Sequence, residues 1–357
     1  MRKVNVELYL FIMTIIVSCN SNSGVSANSE QFIENELQKI DSLLRSTEYS
    51  YAMAKTQDSS YQVGVNQQPA EFLTASDDTA IIRKTMLEEK VAINLAGFYA
   101  LECGIGLLSN QTKKKPTEIL SAIVNDQLDS ASVQLLNRFA NATWKAGQPF
   151  RSLERITRPN FRVYNFLPAD EIRKDYDQVK SAATKLLSSM QDISDSGVNE
   201  QMERIRSLLQ NEKYAFEMAE FLDSSYTANV HQPIKPFISS GVDTTIIMKS
   251  AKEQKVATSI AGFYALECGV AYLAEKNKQM PSVLLRSIAD NTNSQEDKML
   301  FARLANATWK AGQPFRGLSR ITRETFTPFY FLKEEDIEKD LVQIRSAAKR
   351  LLSALEN

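Results

Sequence analysis

The chain has 357 residues, and its 42 Lys and Arg residues nearly balance 43 Asp and Glu residues, which gives a formal net charge of −1 at pH 7. This balance gives no electrostatic case for nucleic acid binding, so we expect no nucleic acid partner. A hydrophobic content of 43% and a charged content of 24% are typical of globular domains. His231 is the single histidine, which excludes a histidine-cluster metal site and argues against a Ser/His/Asp triad. We expect neither a metal nor a cofactor.

The first residues have the pattern of an export signal. Arg2 and Lys3 precede an apolar run over residues 8–17, which is too short to span a bilayer as a helix. The run ends in Ile16-Val17-Ser18-Cys19, which resembles the lipobox of bacterial lipoproteins. The resemblance implies that residues 1–18 are a signal peptide and that Cys19 becomes the lipidated first residue. An ordinary secretory signal with an incidental cysteine is the alternative.

The location of the protein follows from this pattern. Residues 19–32 begin with a stretch rich in Asn and Ser, and we interpret them as a flexible tether. No later segment is expected to cross a membrane, so lipid would provide the attachment. We therefore predict an exported protein, anchored by lipid on the periplasmic or cell-surface side of a bacterial membrane.

A long segment of the chain occurs twice. The sequence of residues 96–104 returns letter for letter at 261–269, and that of residues 140–151 returns at 305–316, both with an offset of 165 residues. The offset holds without a gap from Leu43 to Leu352. The sequence therefore predicts two tandem copies of one domain, at 33–192 and 198–357, each with its own core.

Apolar periodicity predicts helices throughout each copy. The clearest 3.6-residue stripe closes each copy, near residues 169–190 and 334–355, and follows an acidic start that suits a helix N-terminus. Residues 78–108 also suggest one long helix. We expect loops at residues 58–76 and 223–241, and Gly147 with Pro149 to end the helix that carries Trp144. The predicted fold class is all-α, as two homologous helical bundles.

Inside the long helix, small residues recur. Gly97, Ala100 and Gly104 share one face, and each returns 165 positions later. Glycine lowers helix stability by about 1 kcal/mol, so we expect another helix to approach this face closely. Cys103 and its counterpart Cys268 are interpreted as two buried thiols, with a bridge between the copies as the alternative.

One group of residues near each tryptophan suggests ligand binding. Arginine suits bidentate recognition of carboxylate or phosphate, and the indole of tryptophan offers a flat apolar face. Such a group could bind an acidic peptide, an acidic glycan or a nucleotide-like ligand. The alternative is a tryptophan packed in the core, with arginines paired to the acidic helix start. The candidate ligand-binding residues are Trp144, Lys145, Arg151, Arg155, Trp309, Lys310, Arg316 and Arg320, with Arg158 and Arg323 nearby.

Two acidic residues lie in an otherwise apolar helix. Glu102 and its counterpart Glu267 would have raised pKa values there unless they are paired. They are candidates for a general acid or base, or for one member of an internal ion pair with Arg151 or Lys90. A hydroxyl-rich set at residues 58–61 and 223–226 is a third candidate group, or simple turn chemistry.

The segment from Trp144 to Leu187 resembles the small helical repeat named after ryanodine receptors, which has bacterial versions. The shared features are an early aromatic residue and the sequence Phe166-Leu167-Pro168 before an acidic helix. The glycine-tryptophan-tyrosine-glycine centre of the receptor repeats is absent. The resemblance implies binding of a ligand or partner, and it transfers no individual residue.

These observations favour a lipid-anchored envelope protein that binds or scaffolds through two similar sites without catalysis. The expected partners are the membrane, through the N-terminal lipid, and an envelope protein, a peptide or an acidic glycan. One alternative is a carboxylate-dependent hydrolase of an envelope polymer, which would use Glu102 or Glu267. The other is a structural spacer, in which Arg151 and Arg316 face their own acidic helices and no pocket lies beside Trp144.

Overall fold

The computed structural model describes residues 23–74, 81–234, 236–238 and 245–357, and this part of the chain is mostly helical. The all-α prediction is confirmed at this level. The predicted signal peptide at residues 1–18 and the predicted lipid attachment at Cys19 lie outside the described residues.

The first copy is built from seven α-helices and a short strand in the described residues. They are α1 (Ser23–Leu44), α2 (Thr47–Gly64), β1 (Ile81–Thr85), α3 (Met86–Asn94), α4 (Ala96–Thr112), α5 (Pro116–Val124), α6 (Ser130–Arg151) and α7 (Ala169–Ser188).

The second copy repeats these elements in the same order, except that one continuous helix replaces α3 and α4. They are α8 (Val198–Leu209), α9 (Glu212–Asn229), β2 (Ile246–Ser250), α10 (Ala251–Asn277), α11 (Pro281–Ala289), α12 (Gln295–Arg316) and α13 (Glu334–Glu356).

The N-terminal helical hairpin of each copy packs on the other copy. Helices α1 and α2 contact α10 and α13, whereas α8 contacts α4 and α5, and α9 contacts α3 and α7. The hairpins also cap helices of the opposite copy. Glu36 on α1 accepts a hydrogen bond from the Ser282 N–H at the start of α11 (2.7 Å), and Gln201 on α8 accepts one from the Thr117 N–H at the start of α5 (3.0 Å). The two copies therefore exchange their hairpins, in the manner of a domain swap.

A pseudo-twofold axis relates the two copies. Strands β1 and β2 pair antiparallel, and Arg83 lies opposite Met248, its own counterpart since 248 − 83 = 165. Phe150 and its counterpart Phe315 stack with their ring centroids 5.5 Å apart and their planes 7° from parallel. Equivalent residues meet each other only on a twofold axis, so the axis passes through the ribbon and through this stacked pair.

The expectation that each copy has its own core is wrong. One continuous apolar cluster contains residues of both copies, and α6 and α12 pack against each other and against α10 and α4. Apolar periodicity shows that a helix face is buried but does not specify which helix covers it, so two similar copies can exchange partners. The boundaries at 33–192 and 198–357 therefore describe a sequence repeat and not two independently packed bodies.

Several local expectations are corrected. Residues 81–85 form a strand and not a helix, and α3 begins after Thr85, whose side chain and backbone form a capping box with Glu88. The predicted cap at residues 78–79 lies outside the described residues. Helix α6 continues through Pro149 to Arg151, since a proline in the last turn removes only one hydrogen bond.

The ends of two other predicted segments also move. Helix α1 begins at Ser23, so the described part of the predicted tether is helical. A buried stripe of Ile33, Leu37, Ile40 and Leu44 docks this helix on the core. The hydroxyl-rich residues 58–61 and 223–226 lie in the last turns of α2 and α9, and not in loops.

The small-residue face is confirmed as a site of close approach. A Cβ atom added at Gly104 would lie 2.3 Å from Cδ2 of Leu136 on α6, which leaves no room for a side chain. Cys103 and Cys268 are both buried and free.

Two helical stretches are long and apolar enough to cross a membrane, contrary to expectation. They are Met86–Thr112 and Ala251–Asn277, and 83% and 89% of their most apolar windows are buried inside the protein. Core helices are buried to this extent, and length and hydropathy alone are weak evidence for a membrane span.

Candidate functional site

Two clefts lie at equivalent places on either side of the pseudo-twofold axis. The Trp309 cleft, between α2 of one copy and α12 and α13 of the other, has a volume of about 470 Å³. The Trp144 cleft, between α9 and the pair α6 and α7, has a volume of about 720 Å³. Both volumes fall in the range of small-molecule sites. Each cleft exists only because the hairpins are exchanged, so neither copy could form it alone.

An ion pair joins the exchanged hairpin to the opposite copy at each cleft. Lys255 on α10 contacts Asp58 on α2 with an N–O distance of 2.6 Å, and Lys90 on α3 contacts Asp223 on α9 at 3.0 Å. Asp58 and Asp223, which begin the two hydroxyl-rich segments, therefore have a structural role on the cleft walls. Tyr61 and Tyr226, one turn later on the same helices, also line the clefts.

The tryptophans occupy one cleft each. Trp144 and Trp309 are the two tryptophans of the chain, and both are half-buried. One part of each indole packs at 5.9 Å from a buried phenylalanine, Phe161 or Phe326. The rest faces the cleft, so each indole is anchored in the core and still offers a surface to a ligand.

A half-buried aspartate lies beside each tryptophan. Asp340 on α13 lines the Trp309 cleft, and Asp175 on α7 lines a side pocket of about 60 Å³ that shares Trp144 with the main Trp144 cleft. Asn141 donates a hydrogen bond to Asp175 (Nδ2–Oδ2 3.2 Å). Burial raises the pKa of Asp175 to about 7 and that of Asp340 to about 8, against the opposing effects of a buried lysine and an asparagine. These carboxyls carry a proton for much of the neutral pH range.

The arginines of the clefts are not engaged in ion pairs. Arg151 and Arg155 contact the Gln148 side-chain oxygen at 3.4 and 2.7 Å, and Arg320 contacts Gln313 at 2.8 Å. Among the described residues, the sequence-predicted arginines have no carboxylate within 4.0 Å. Burial and the neighbouring arginines lower the pKa of Arg155 and of Arg320 to about 10. The free guanidinium groups are available to an anion.

The structure places the predicted arginines unequally. Arg151 and Arg155 line the Trp144 cleft, together with Arg158. Arg316 lines the Trp309 cleft, while Arg320 lies behind it against Gln313. The charge of Glu89 acts to raise the pKa values of Arg151 and Arg155, and Glu89 itself pairs with Lys249 at 3.3 Å.

Four of the predicted site residues are sealed in the interior. Lys145 pairs with Glu267 at 2.9 Å, and Lys310 pairs with Glu102 at 2.5 Å, so each pair links the two copies. All four side chains are at most 1% exposed. They cannot contact a ligand in a cleft or a polymer in solvent. The internal ion-pair hypothesis for the glutamates holds, but the partners are these lysines and not Arg151 or Lys90.

One buried amide in the Trp309 cleft has no partner. Gln57 on α2 is 1% exposed and lines the cleft, and neither Oε1 nor Nε2 has a hydrogen-bond partner. A Cβ atom added at Gly262 on α10 would lie 3.6 Å from Nε2, so the glycine leaves the amide room on that side. Leu222 occupies the equivalent position of the other copy and is buried.

Sequence reasoning missed Asp175, Asp340 and Gln57. Asp175 lies one turn before Val179 and Asp340 one turn before Ile344, so both aspartates continue the buried stripes of their helices. A carboxylate at the end of an apolar stripe, repeated in both copies, is a signal that could have found them. The exchange of hairpins that brings Gln57 to the opposite copy has no such signal.

The described residues contain no group of three or more His, Cys, Asp or Glu side chains arranged to hold a metal ion. Comparisons with protein families, with characterised proteins and with solved structures give no match for this chain. The resemblances to lipoproteins and to the ryanodine-receptor repeat stay predictions.

Proposed function

We propose that this chain is a non-catalytic binding protein that takes an acidic glycan in two pseudo-equivalent clefts. The observation that carries the proposal is the convergence, in each cleft or its side pocket, of an indole face, arginine without a carboxylate partner and a half-buried aspartate. A sugar ring has an apolar face that suits an indole, and its hydroxyl groups both donate and accept hydrogen bonds. A uronic or similar acid adds the carboxylate that a free guanidinium recognises.

The size of the clefts favours a saccharide over a folded protein partner. Specific protein interfaces bury on the order of 1,600 Å² over broad surfaces, whereas each cleft is concave and has a volume typical of small-ligand sites. A structural spacer is expected to lack a pocket beside Trp144 and to pair Arg151 and Arg316 with acids. The described residues instead form a cleft beside Trp144, and the acidic helix starts pair with lysines and not with Arg151 or Arg316.

We also propose that the protein presents both clefts at a membrane surface through lipid on Cys19. The support is the sequence pattern alone, an export signal that ends in Ser18-Cys19. Two clefts on one anchored chain would raise the avidity for a repeating glycan if both can be occupied at once. Cys19→Ala should move the protein from the detergent-rich to the aqueous phase in a detergent partition assay, and an unchanged partition contradicts the anchor.

A fluorescence titration tests the glycan proposal directly. Because each cleft holds one tryptophan, Trp144→Phe leaves a protein whose emission reports the Trp309 cleft, and Trp309→Phe leaves one that reports the Trp144 cleft. The probes are a glucuronate-containing tetrasaccharide and the same tetrasaccharide with its carboxylates reduced to alcohols. We expect the acidic probe to bind at least about tenfold more tightly, since a charge-assisted hydrogen bond contributes about 1.5–3 kcal/mol.

Variants locate the charge that is recognised. Arg151→Gln combined with Arg155→Gln should remove the preference for the acidic probe in the Trp144 cleft and leave the Trp309 cleft unchanged. Arg173→Gln is the matched control, because Arg173 is exposed and lines neither cleft. Equal affinity for the acidic and neutral probes, or no response of either tryptophan to a panel of acidic glycans, would contradict the proposal.

A hydrolase remains the second candidate, with different residues from those predicted. A carboxyl whose pKa is about 7 or 8 in a cleft has the property of a general acid near neutral pH, and Asp175 and Asp340 have it. If the protein cleaves an envelope polymer, the double variant Asp175→Asn and Asp340→Asn should abolish product formation while retaining the bound probe. If the probe binds and no product forms at any pH between 5 and 9, the protein binds the polymer without cleaving it.

A further inference from the structure

The unpartnered amide of Gln57 is the sharpest difference between the two clefts. Its Oε1 and Nε2 atoms are enclosed, and no described residue satisfies either atom. Buried polar groups in proteins nearly always have a hydrogen-bond partner, so an amide with two unmet atoms requires one from outside the chain. Gln57 belongs to the lining of the Trp309 cleft, which is where a bound molecule would supply it.

The other copy shows that the fold itself does not need this amide. Leu222 occupies the position 165 residues later, is 3% exposed and has no polar group to satisfy. Both helices otherwise present the same wall, with Asp58 or Asp223 in an ion pair one residue later. Because an apolar side chain of similar size fills the same place, packing alone does not account for a glutamine.

We propose that Gln57 is a specificity-determining residue, which makes the Trp309 cleft select a sugar unit with hydroxyl groups at its inner end, whereas the Trp144 cleft, with Leu222 buried at the equivalent position, lacks this selection. A hydroxyl group can donate to Oε1 and another can accept from Nε2, which satisfies both atoms of the amide. This inference rests on the proposed function. It adds that the two clefts recognise different units of the glycan and are not two copies of one site.

The neighbours of the amide agree with this assignment. Asn306 and Gln343 line the same cleft, and Thr258 and Ser259 on α10 add two hydroxyl groups. In the Trp144 cleft, Ile93 and Asn94 occupy the positions of Thr258 and Ser259. Thr258 therefore adds a hydroxyl group where the Trp144 cleft has the apolar Ile93, whereas the amides of Asn306 and Gln343 are repeated in the other copy.

Reciprocal exchange of the two residues tests the inference. The probes are a disaccharide of glucuronate and a hexose, and the same disaccharide with the corresponding 6-deoxyhexose, which replaces one hydroxyl group by hydrogen to leave a methyl group. In the Trp144→Phe background, which reports the Trp309 cleft, we expect about a tenfold preference for the hexose, because the deoxy probe leaves the amide unpaired. Gln57→Leu should remove that preference.

The complementary variant should create the preference where it is absent. In the Trp309→Phe background, the Trp144 cleft should bind both probes alike, and Leu222→Gln should give it a preference for the hexose. Gln57→Glu keeps the shape of the side chain but removes its N–H donor, so it should also weaken binding of the hexose probe. This variant replaces Gln57→Leu if circular dichroism shows that Gln57→Leu is poorly folded.

The outcomes separate the two proposals. Tight binding of both probes with no change in preference in Gln57→Leu would overturn the role of Gln57, and internal water would then be its partner. No binding of either probe in either cleft would overturn both the glycan function and this inference. Loss of the hexose preference in Gln57→Leu together with its appearance in Leu222→Gln supports both proposals.

Discussion

The Trp144 and Trp309 clefts share their frame and differ in their linings. The frame consists of the hairpin exchange, the ion pair on the cleft wall, the indole and the half-buried aspartate, and all four occur in both clefts. Gln57 lines the Trp309 cleft and its counterpart is the buried Leu222, while Glu89 lines the Trp144 cleft and its counterpart is Gln254. The comparison teaches that the tryptophan, the aspartate and the ion pair are repeated in both halves, whereas single residues beside them have diverged.

The two buried ion pairs also differ, in how completely the oxygen atoms of their glutamates are hydrogen-bonded. Glu102 accepts the Phe329 N–H at 3.1 Å in addition to Lys310, whereas Oε1 of Glu267 has no partner. Burial raises the pKa of Glu267 in spite of the attraction of Lys145. The pair beneath the Trp309 cleft is therefore the better satisfied of the two.

The largest expected effect comes from breaking these pairs. Lys310→Met leaves Glu102 buried without its cation, and we expect the free energy of unfolding to fall by about 3–5 kcal/mol in urea titrations. Lys145→Met should cost less, because burial already raises the pKa of Glu267, which eases its neutralisation when the lysine is removed. Lys339→Met, which removes an exposed pair with Asp336, is the control and should change stability by less than about 0.5 kcal/mol. Equal and small losses for all three variants would show that the buried pairs do not hold the copies together.

The next effect concerns the two aspartates and pH. Their pKa values in the folded chain, about 7 for Asp175 and about 8 for Asp340, exceed the unfolded value near 3.9. The folded state therefore binds more protons between these values, and the resulting stabilisation is complete below pH 4 and is lost as pH rises through 7 to 8. Allowing for partial solvent access, we expect Asp340→Asn to recover about 1–2 kcal/mol of unfolding free energy at pH 9 relative to the wild type.

The comparison between clefts refines this measurement. Unfolding free energies should fall as pH rises from 4, and the fall should level off near pH 8 when only Asp340 is present and near pH 7 when only Asp175 is present. Each single Asn variant isolates the other aspartate. A wild-type stability that is constant from pH 5 to 9, or that rises over this range, would contradict the raised pKa values.

The sequence predicted the helices well and their partners poorly. The closing stripe of each copy predicted α7 and α13, and the small-residue face at Gly104 predicted a close neighbour, because both are properties of a single helix surface. The exchange of hairpins was not predictable, since α2 has the same apolar face whichever copy covers it. For the same reason the prediction that Lys145 binds a ligand is wrong, because Lys145 meets Glu267 across the axis.

Part of the candidate site was nevertheless visible. Trp144 and Arg151 were predicted as one group because they are close in sequence on one helix, and the structure keeps them in one cleft. Asp175 and Tyr226 join them from other elements, and no local pattern connects these residues with Trp144. The sequence could therefore predict only the part of the cleft that lies on a single helix.

The unpartnered amide gives a prediction about stability that is independent of any ligand. Gln57→Leu removes two unsatisfied polar atoms and introduces the side chain that the other copy already has, so we expect the ligand-free protein to gain about 1–2 kcal/mol. Leu222→Gln should lose a similar amount, because it buries an amide where no partner exists. Thermal unfolding by circular dichroism measures both. A loss of stability in Gln57→Leu would mean that the amide is already satisfied in the free protein.

The smallest expected effect concerns the acid beside the arginines. Glu89 lies near Arg151 and pairs with Lys249. In the other copy the counterpart of Glu89 is the uncharged Gln254, and the Nζ atom of Lys84, the counterpart of Lys249, is buried with no hydrogen-bond partner. Burial and the charge of Arg316 contribute to lowering the pKa of Lys84 to about 8.

The residue at this position therefore sets the charge close to one arginine of each cleft, and moving the acid should change the affinities of the two clefts in opposite directions. Gln254→Glu should weaken binding of the glucuronate probe to the Trp309 cleft, and Glu89→Gln should strengthen it in the Trp144 cleft. A charge difference screened by solvent is worth about 1 kcal/mol, so we expect changes of about fivefold in Kd in opposite directions. The carboxyl-reduced probe is the control, because without a charge it should bind both variants as it binds the wild type. Shifts of the same size for both probes would show that the substitutions alter the shape of the clefts and not their charge.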